Sequence, residues 1–223
     1  MIRRNDLRKE WPTLLAFAVT FAASAYLWPR SPEVIPVHWG LNGEPDRFGS
    51  RAEGLLLLPG LLLGNALLML AVERFSAHGA RNATVLRTVR LVMGVTAALL
   101  TLRMVFDWEV PRTVIIAVGI IFALLGNVLG KAHPGGRFER VDTWTPERKR
   151  AWYATTKRSS VQLTFFGSAL LFAGLLLPDV WLTPWVAPFG LLGGLLIMMI
   201  RLGLDMSSWR SGKNSTTGSH GPR

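Results

Sequence analysis

Long apolar runs separated by short basic stretches constrain this chain more than any other feature. Residues 54–72 and 114–129 contain no Asp, Glu, Lys or Arg. Their apolar residues do not recur with the 3.6 or 2.0 spacing that marks a one-sided helix or strand. A segment apolar on every side needs apolar surroundings, and about 20 such residues cross the hydrocarbon core of a bilayer. Six stretches come near that length: 11–28, 54–72, 88–106, 113–130, 160–177 and 184–204. The expectation is an all-α fold, a polytopic bundle of six transmembrane helices.

Composition excludes several alternatives. Half of the 223 residues are hydrophobic and 17% are charged, against roughly 25% in soluble domains. A disordered chain, a coiled coil and a disulfide scaffold are ruled out. With no Cys, no thiol nucleophile or thiolate-bound metal is available. The first run follows a basic start and contains Ala22-Ala23-Ser24-Ala25, as a signal peptide does. Its apolar stretch is long for that role, so a retained helix is expected.

The net charge of +11 is not laid out as a basic stripe on a soluble fold, so nucleic acid is not an expected partner. It falls between the apolar runs. With the N-terminus inside, 20 of the 25 Lys and Arg lie on the inner side, whereas the acids divide evenly. Cationic loops stay in the cytoplasm, so both termini are expected there. Three units follow: residues 1–72, a helix pair with an extracellular loop; residues 73–206, a four-helix region; and residues 207–223, a Ser/Gly/Thr-rich basic tail read as a disordered cytoplasmic segment.

Two connections are long, and long loops carry function more often than short ones. The outer one, 29–53, opens with Pro29, Pro32 and Pro36, which forbid a regular helix. Asn42-Gly43 marks a turn, and residues 34–39 are a short extended piece. A tight turn would bring His38, Asn42 and Asp46 together. The inner one, 131–159, contains Thr145-Pro146-Glu147, a helix start with Thr as N-cap and Pro at the first position. The basic stretch 148–158, with Trp144, Trp152 and Tyr153, suits a segment lying on the inner membrane surface against anionic lipid.

The outer sequence IPVHWGLNGEPDRFGSR resembles the IPxHWxxxGxPDxxGxK signature of an uncharacterised bacterial membrane domain that commonly precedes the SdpI-type region. Gly126-Asn127-Val128-Leu129-Gly130-Lys131 is similar to the GNxxGK signature of the SdpI family. Trp144-Thr145, Trp152 and Thr155 fit that family's RTPWTxxxxxxWxxTHR stretch. Val141, Thr143 and Thr156 depart from its Arg, Pro and His, and Lys157 holds the Arg position. The resemblance implies a six-span protein of the bacterial cell membrane that confers immunity to a secreted peptide toxin or relays an envelope signal. Its partners would be the bilayer, an extracellular peptide toxin or envelope component, and a cytoplasmic regulator or anionic lipid at 131–159.

The residues so marked for binding are His38, Asn42, Asp46, Asn127, Lys131, Trp144 and Trp152. Each has a plainer reading. The outer polar residues can close their own turns, and Asn127 can bond across helices. Asn127 and Lys131, one turn apart, could instead face a shared polar pocket with Trp144 or Trp152. One His among a few carboxylates is too little for a zinc site, and no metal or other cofactor is expected. Arg103 with Asp107, and Arg201 with Asp205, read as snorkelling i,i+4 pairs. Gly60-xxx-Gly64, Gly126-xxx-Gly130 and Gly190-xxx-Gly194 read as helix-packing positions. No catalytic motif occurs, so binding is expected rather than catalysis. The alternative is a membrane enzyme or transporter for a lipid-linked or small amphipathic substrate.

Overall fold

The computed structural model describes residues 4–40, 44–133, 144–182 and 192–194. Helix α1 (Arg4–Leu27) leads into a hairpin of β1 (Val34–Trp39) and β2 (Pro45–Ser50). A π-helical turn, Glu53–Leu57, opens α2 (Leu58–Phe75). The short α3 (Ala77–Arg81), then α4 (Ala83–Phe106), α5 (Val110–Leu129) and α6 (Pro146–Leu176) follow, with a 3₁₀ turn at Asp179–Trp181. Among the described residues, four helices are long and apolar enough to cross a membrane: Glu53–Phe75, Ala83–Phe106, Val110–Leu129 and Pro146–Leu176. The first expected span, 11–28, falls almost wholly within α1. The sixth, 184–204, lies outside the described residues apart from 192–194. Many large apolar side chains face outward, including Leu61, Leu67, Phe165 and Phe172. In water that surface would be untenable; in lipid it is the ordinary exterior. This is a helical, multi-pass membrane protein.

The described helices form two packing units. Helices α1, α2 and α4 enclose Phe17, Ala66 and Ala97, with Phe21, Leu62 and Met93 around them. Helices α5 and α6 form the second unit around Ile115 and Leu170. Their seam is built on glycine at seven-residue spacing: Gly119 and Gly126 on α5, Gly167 and Gly174 on α6. A Cβ on Gly126 would lie 2.5 Å from the backbone nitrogen of Thr164, and one on Gly119 2.6 Å from that of Leu171. The Ser160 hydroxyl donates to the carbonyl of Gly126 at 2.5 Å. Lipid tails are as apolar as Leu, so close packing and interhelical hydrogen bonds must hold such a pair. Gly60 and Gly64 have open space around them instead. Gly194 lies against the ring of Phe166, and Gly190 is outside the described residues.

At the end of the first unit away from the hairpin, the Arg90 side chain is 3% exposed. Its Nη2 donates to Glu10 at 2.5 Å and to Glu73 at 2.7 Å. Arg87 donates to Glu73 at 2.8 Å. Two Arg and two Glu from three helices thus neutralise one another where none could stand alone. Sequence reading counted Arg87 and Arg90 only among the inner-side cations, although Arg90 falls within the expected span 88–106. Their signal was present: both acids sit at the same expected depth as Arg87 and Arg90.

Helix α6 differs from the expected layout. Thr145 caps it as read, its hydroxyl accepting from the Arg148 N–H at 3.3 Å. The basic stretch 148–158 is not a separate surface segment, however. It continues into the span as one helix of 31 residues. At 1.5 Å per residue that is about 47 Å, against a hydrocarbon core of about 30 Å. The excess lets the charged first turns stand beyond the hydrocarbon without breaking backbone hydrogen bonds.

Gly167→Ala should destabilise the protein by about 1–3 kcal/mol through overpacking, whereas Gly64→Ala should be neutral or mildly stabilising; thermal unfolding in detergent distinguishes them. Arg90→Leu should cost about 3–5 kcal/mol, because Arg87 alone is left to balance Glu10 and Glu73. The quadruple variant Arg87→Gln, Arg90→Met, Glu10→Gln, Glu73→Gln, which leaves no charge unpaired in the cluster, should recover much of that loss in the same assay.

Candidate functional site

The hairpin folds down over one end of the bundle. Along β1 the side chains alternate, as a strand requires: Ile35, Val37 and Trp39 turn inward, and Val34 and His38 turn outward. Ile35 is buried with Leu27 of α1 and Leu55 of the π-helical turn, and Met104 and Val105 of α4 pack beside them. Gly54 has no side chain because the Ile35 methyl group fills that position. Pro59 explains the irregular start of α2. It has no N–H for the Leu55 carbonyl four residues back, and the buried Ser24 hydroxyl of α1 donates to that carbonyl at 2.9 Å. The strands pair antiparallel from Val34 opposite Ser50 to Trp39 opposite Pro45, with irregularities around His38.

Of the outer residues expected to converge, His38 and Asp46 do: Nδ1 and Oδ1 are 2.5 Å apart. Asn42 lies outside the described residues. The His–Asp pair is on the outer face, its side chains 65% and 51% exposed, and does not line a closed pocket. Phe48 is exposed on the same hairpin. Among the described residues, no group of three His, Asp or Glu is placed to hold a metal ion.

Beneath the hairpin is a cavity of about 330 Å³ that sequence reading did not foresee. Val37 and Trp39 roof it, Leu57 and Leu61 form one wall, and Leu100 and Val114 form the other. Arg103 enters it. It does not snorkel to an ion pair with Asp107. Asp107 ends α4 in the left-handed conformation, φ 52°, while the Arg103 guanidinium lies 4.8 Å from the Trp39 ring centroid. Its Nη1 is buried without a hydrogen-bond acceptor. Arg47, at the rim, is bonded to Glu53. Arg51 stands over Trp28 and Arg30 over Tyr26. Arginine and aromatic residues thus ring this end of the bundle, as at a membrane–water boundary.

At the opposite end, Trp144 is buried and meets Trp152 edge-on, ring centroids 5.8 Å apart. Arg148 lies 4.2 Å from the Trp144 ring. Asn127 and Lys131 are exposed near the end of α5. Among the described residues, nothing encloses them with the tryptophans. The two sets of expected residues therefore occupy separate ends of the molecule.

Comparison with known proteins concerns the hairpin end. Residues 15–63 match the family described as Domain of unknown function (DUF1648). That stretch holds the second half of α1, the whole hairpin and the first turns of α2, but neither Arg103 nor the α5 wall of the cavity. An uncharacterized protein of Archaeoglobus fulgidus is 48% identical over 46 residues, 21% of this chain. The chain spans about a quarter of that relative's length, 25%. No solved structure matches. The chain is thus a helical membrane protein carrying a DUF1648-like helix–hairpin–helix segment.

Proposed function

We propose that this is an SdpI-type protein of the bacterial cell membrane that acts by binding, giving immunity to a peptide toxin or relaying an envelope signal. In this reading α1 and residues 184–204 complete six spans, both termini are cytoplasmic, and the hairpin faces outward. The partition of Lys and Arg supports that orientation. One observation carries the binding role. The inner face of β1 grips α1, α2 and α4, while the outer face leaves His38, Asp46 and Phe48 exposed. An extracellular peptide or envelope component meeting that face would act on side chains rigidly coupled to three helices. The basic first turns of α6 would meet a cytoplasmic regulator or anionic lipid at the far end. A relay also requires the ligand to favour one of two bundle states. The enzyme or transporter alternative would need His38 and Asp46 within an enclosed site, and they are open.

The chain has no native Cys, so single cysteines report topology cleanly. In intact cells, Ser50→Cys should react with a membrane-impermeant maleimide and Lys149→Cys only after lysis; the reverse pattern would refute the orientation. Removing the gene should raise sensitivity to envelope-active peptides, and the His38→Ala, Asp46→Ala double variant should fail to restore resistance at normal expression. Unchanged sensitivity on removal would exclude immunity.

A further inference from the structure

The cavity under the hairpin holds a cation, Arg103, whose buried Nη1 has no acceptor among the described residues. Its walls are apolar, chiefly Leu57, Leu61, Leu100 and Val114. Leu57 and Leu61 are also more than half exposed, so the cavity opens through the wall that faces lipid. Arg103 is one turn from the end of α4, a helix of about 36 Å at 1.5 Å per residue. That places its guanidinium near the depth of lipid phosphates rather than mid-bilayer. The Trp39 ring holds one side of the group, and Nη1 is turned into protein with nothing to donate to. A buried donor left unmade is costly, and a guanidinium bonds phosphate oxygens strongly. Glu53, the carboxylate on the cavity wall, is already bonded to Arg47; Asp107 and Glu109 attract Arg103 from the end of α4 without hydrogen-bonding it.

We propose that this cavity binds one membrane phospholipid, its phosphate accepting from Arg103 and an acyl chain lying along Leu57, Leu61 and Leu100. Arg103 supplies charge for the phosphate, and the lateral opening gives the chain a path from the bilayer without leaving hydrocarbon. The bound lipid would lie directly under Val37 and Trp39, on the side of the hairpin opposite His38. This inference rests on the membrane setting and not on the immunity reading.

The test is native mass spectrometry of the full chain in neutral detergent, titrated with phosphatidylglycerol or with diacylglycerol of the same chains. One phosphatidylglycerol should be retained per chain, and diacylglycerol should be held at least about tenfold more weakly, as expected for loss of a charged hydrogen bond. Arg103→Gln should produce a similar loss for phosphatidylglycerol. Leu61→Trp, which fills the cavity from its exposed wall and leaves Arg103 in place, should also lower retention and covers the case in which Arg103→Gln misfolds. Millimolar inorganic phosphate should not compete. Equal retention of the two lipids, retention unaffected by Leu61→Trp, or displacement by inorganic phosphate would each overturn the proposal.

Discussion

The guanidinium of Arg90 can be buried only because Glu10 and Glu73 reach it from two other helices. An ion taken out of water costs several kcal/mol unless its partners are well placed. The three helices therefore have to meet at one depth and in one rotation about their axes. That requirement is felt at the other end of the same helices. The hairpin's seat is made from Leu27 of α1, Leu55 of the π-helical turn that opens α2, and Met104 of α4, and Glu10, Glu73 and Arg90 tie α1, α2 and α4 together at the opposite end. A shift of one helix against the others would disturb the charges and the seat at once.

The second unit is held differently. Helices α5 and α6 have no ion pair along their seam among the described residues; they rely on glycines that let backbones meet. A charged clasp closes the hairpin end. There Arg112 bonds Asp179 at 2.9 Å and donates to the carbonyls of Gly174 and Leu177. A cation at a helix C-terminus satisfies carbonyls that the helix itself leaves open. One unit is thus fixed by charge and the other by close contact. The cavity lies where α4 of the first faces α5 of the second.

Much of the candidate site could be read from local pattern. The extended piece at 34–39 is β1, and the Thr145-Pro146 start of α6 is present. His38 and Asp46 are close in sequence and meet across paired neighbouring strands. The cavity was not legible in the same way. It needs Trp39, Leu61 and Arg103 together, residues on three elements whose mutual rotation no local spacing records. Arg103 shows why: its sequence neighbour Asp107 invites an i,i+4 pair, but the left-handed turn at Asp107 ends the helix and leaves the guanidinium to Trp39. Gly60 and Gly64 fail for a related reason. Two small residues one turn apart permit a close helix contact but do not say that a helix is there.

What the sequence determined by itself is where the chain meets hydrocarbon, because transfer of an apolar run depends on length and composition and hardly on its neighbours. It also determined the strand alternation that turns Ile35 and Trp39 inward and His38 outward, since a pleated strand has a fixed period. Only the tertiary structure decided which polar groups are paired, which glycines are packed and where a cavity remains. Those outcomes come from contacts between residues up to 80 positions apart, as Glu10 and Arg90 are, and close packing admits few arrangements that satisfy all of them together.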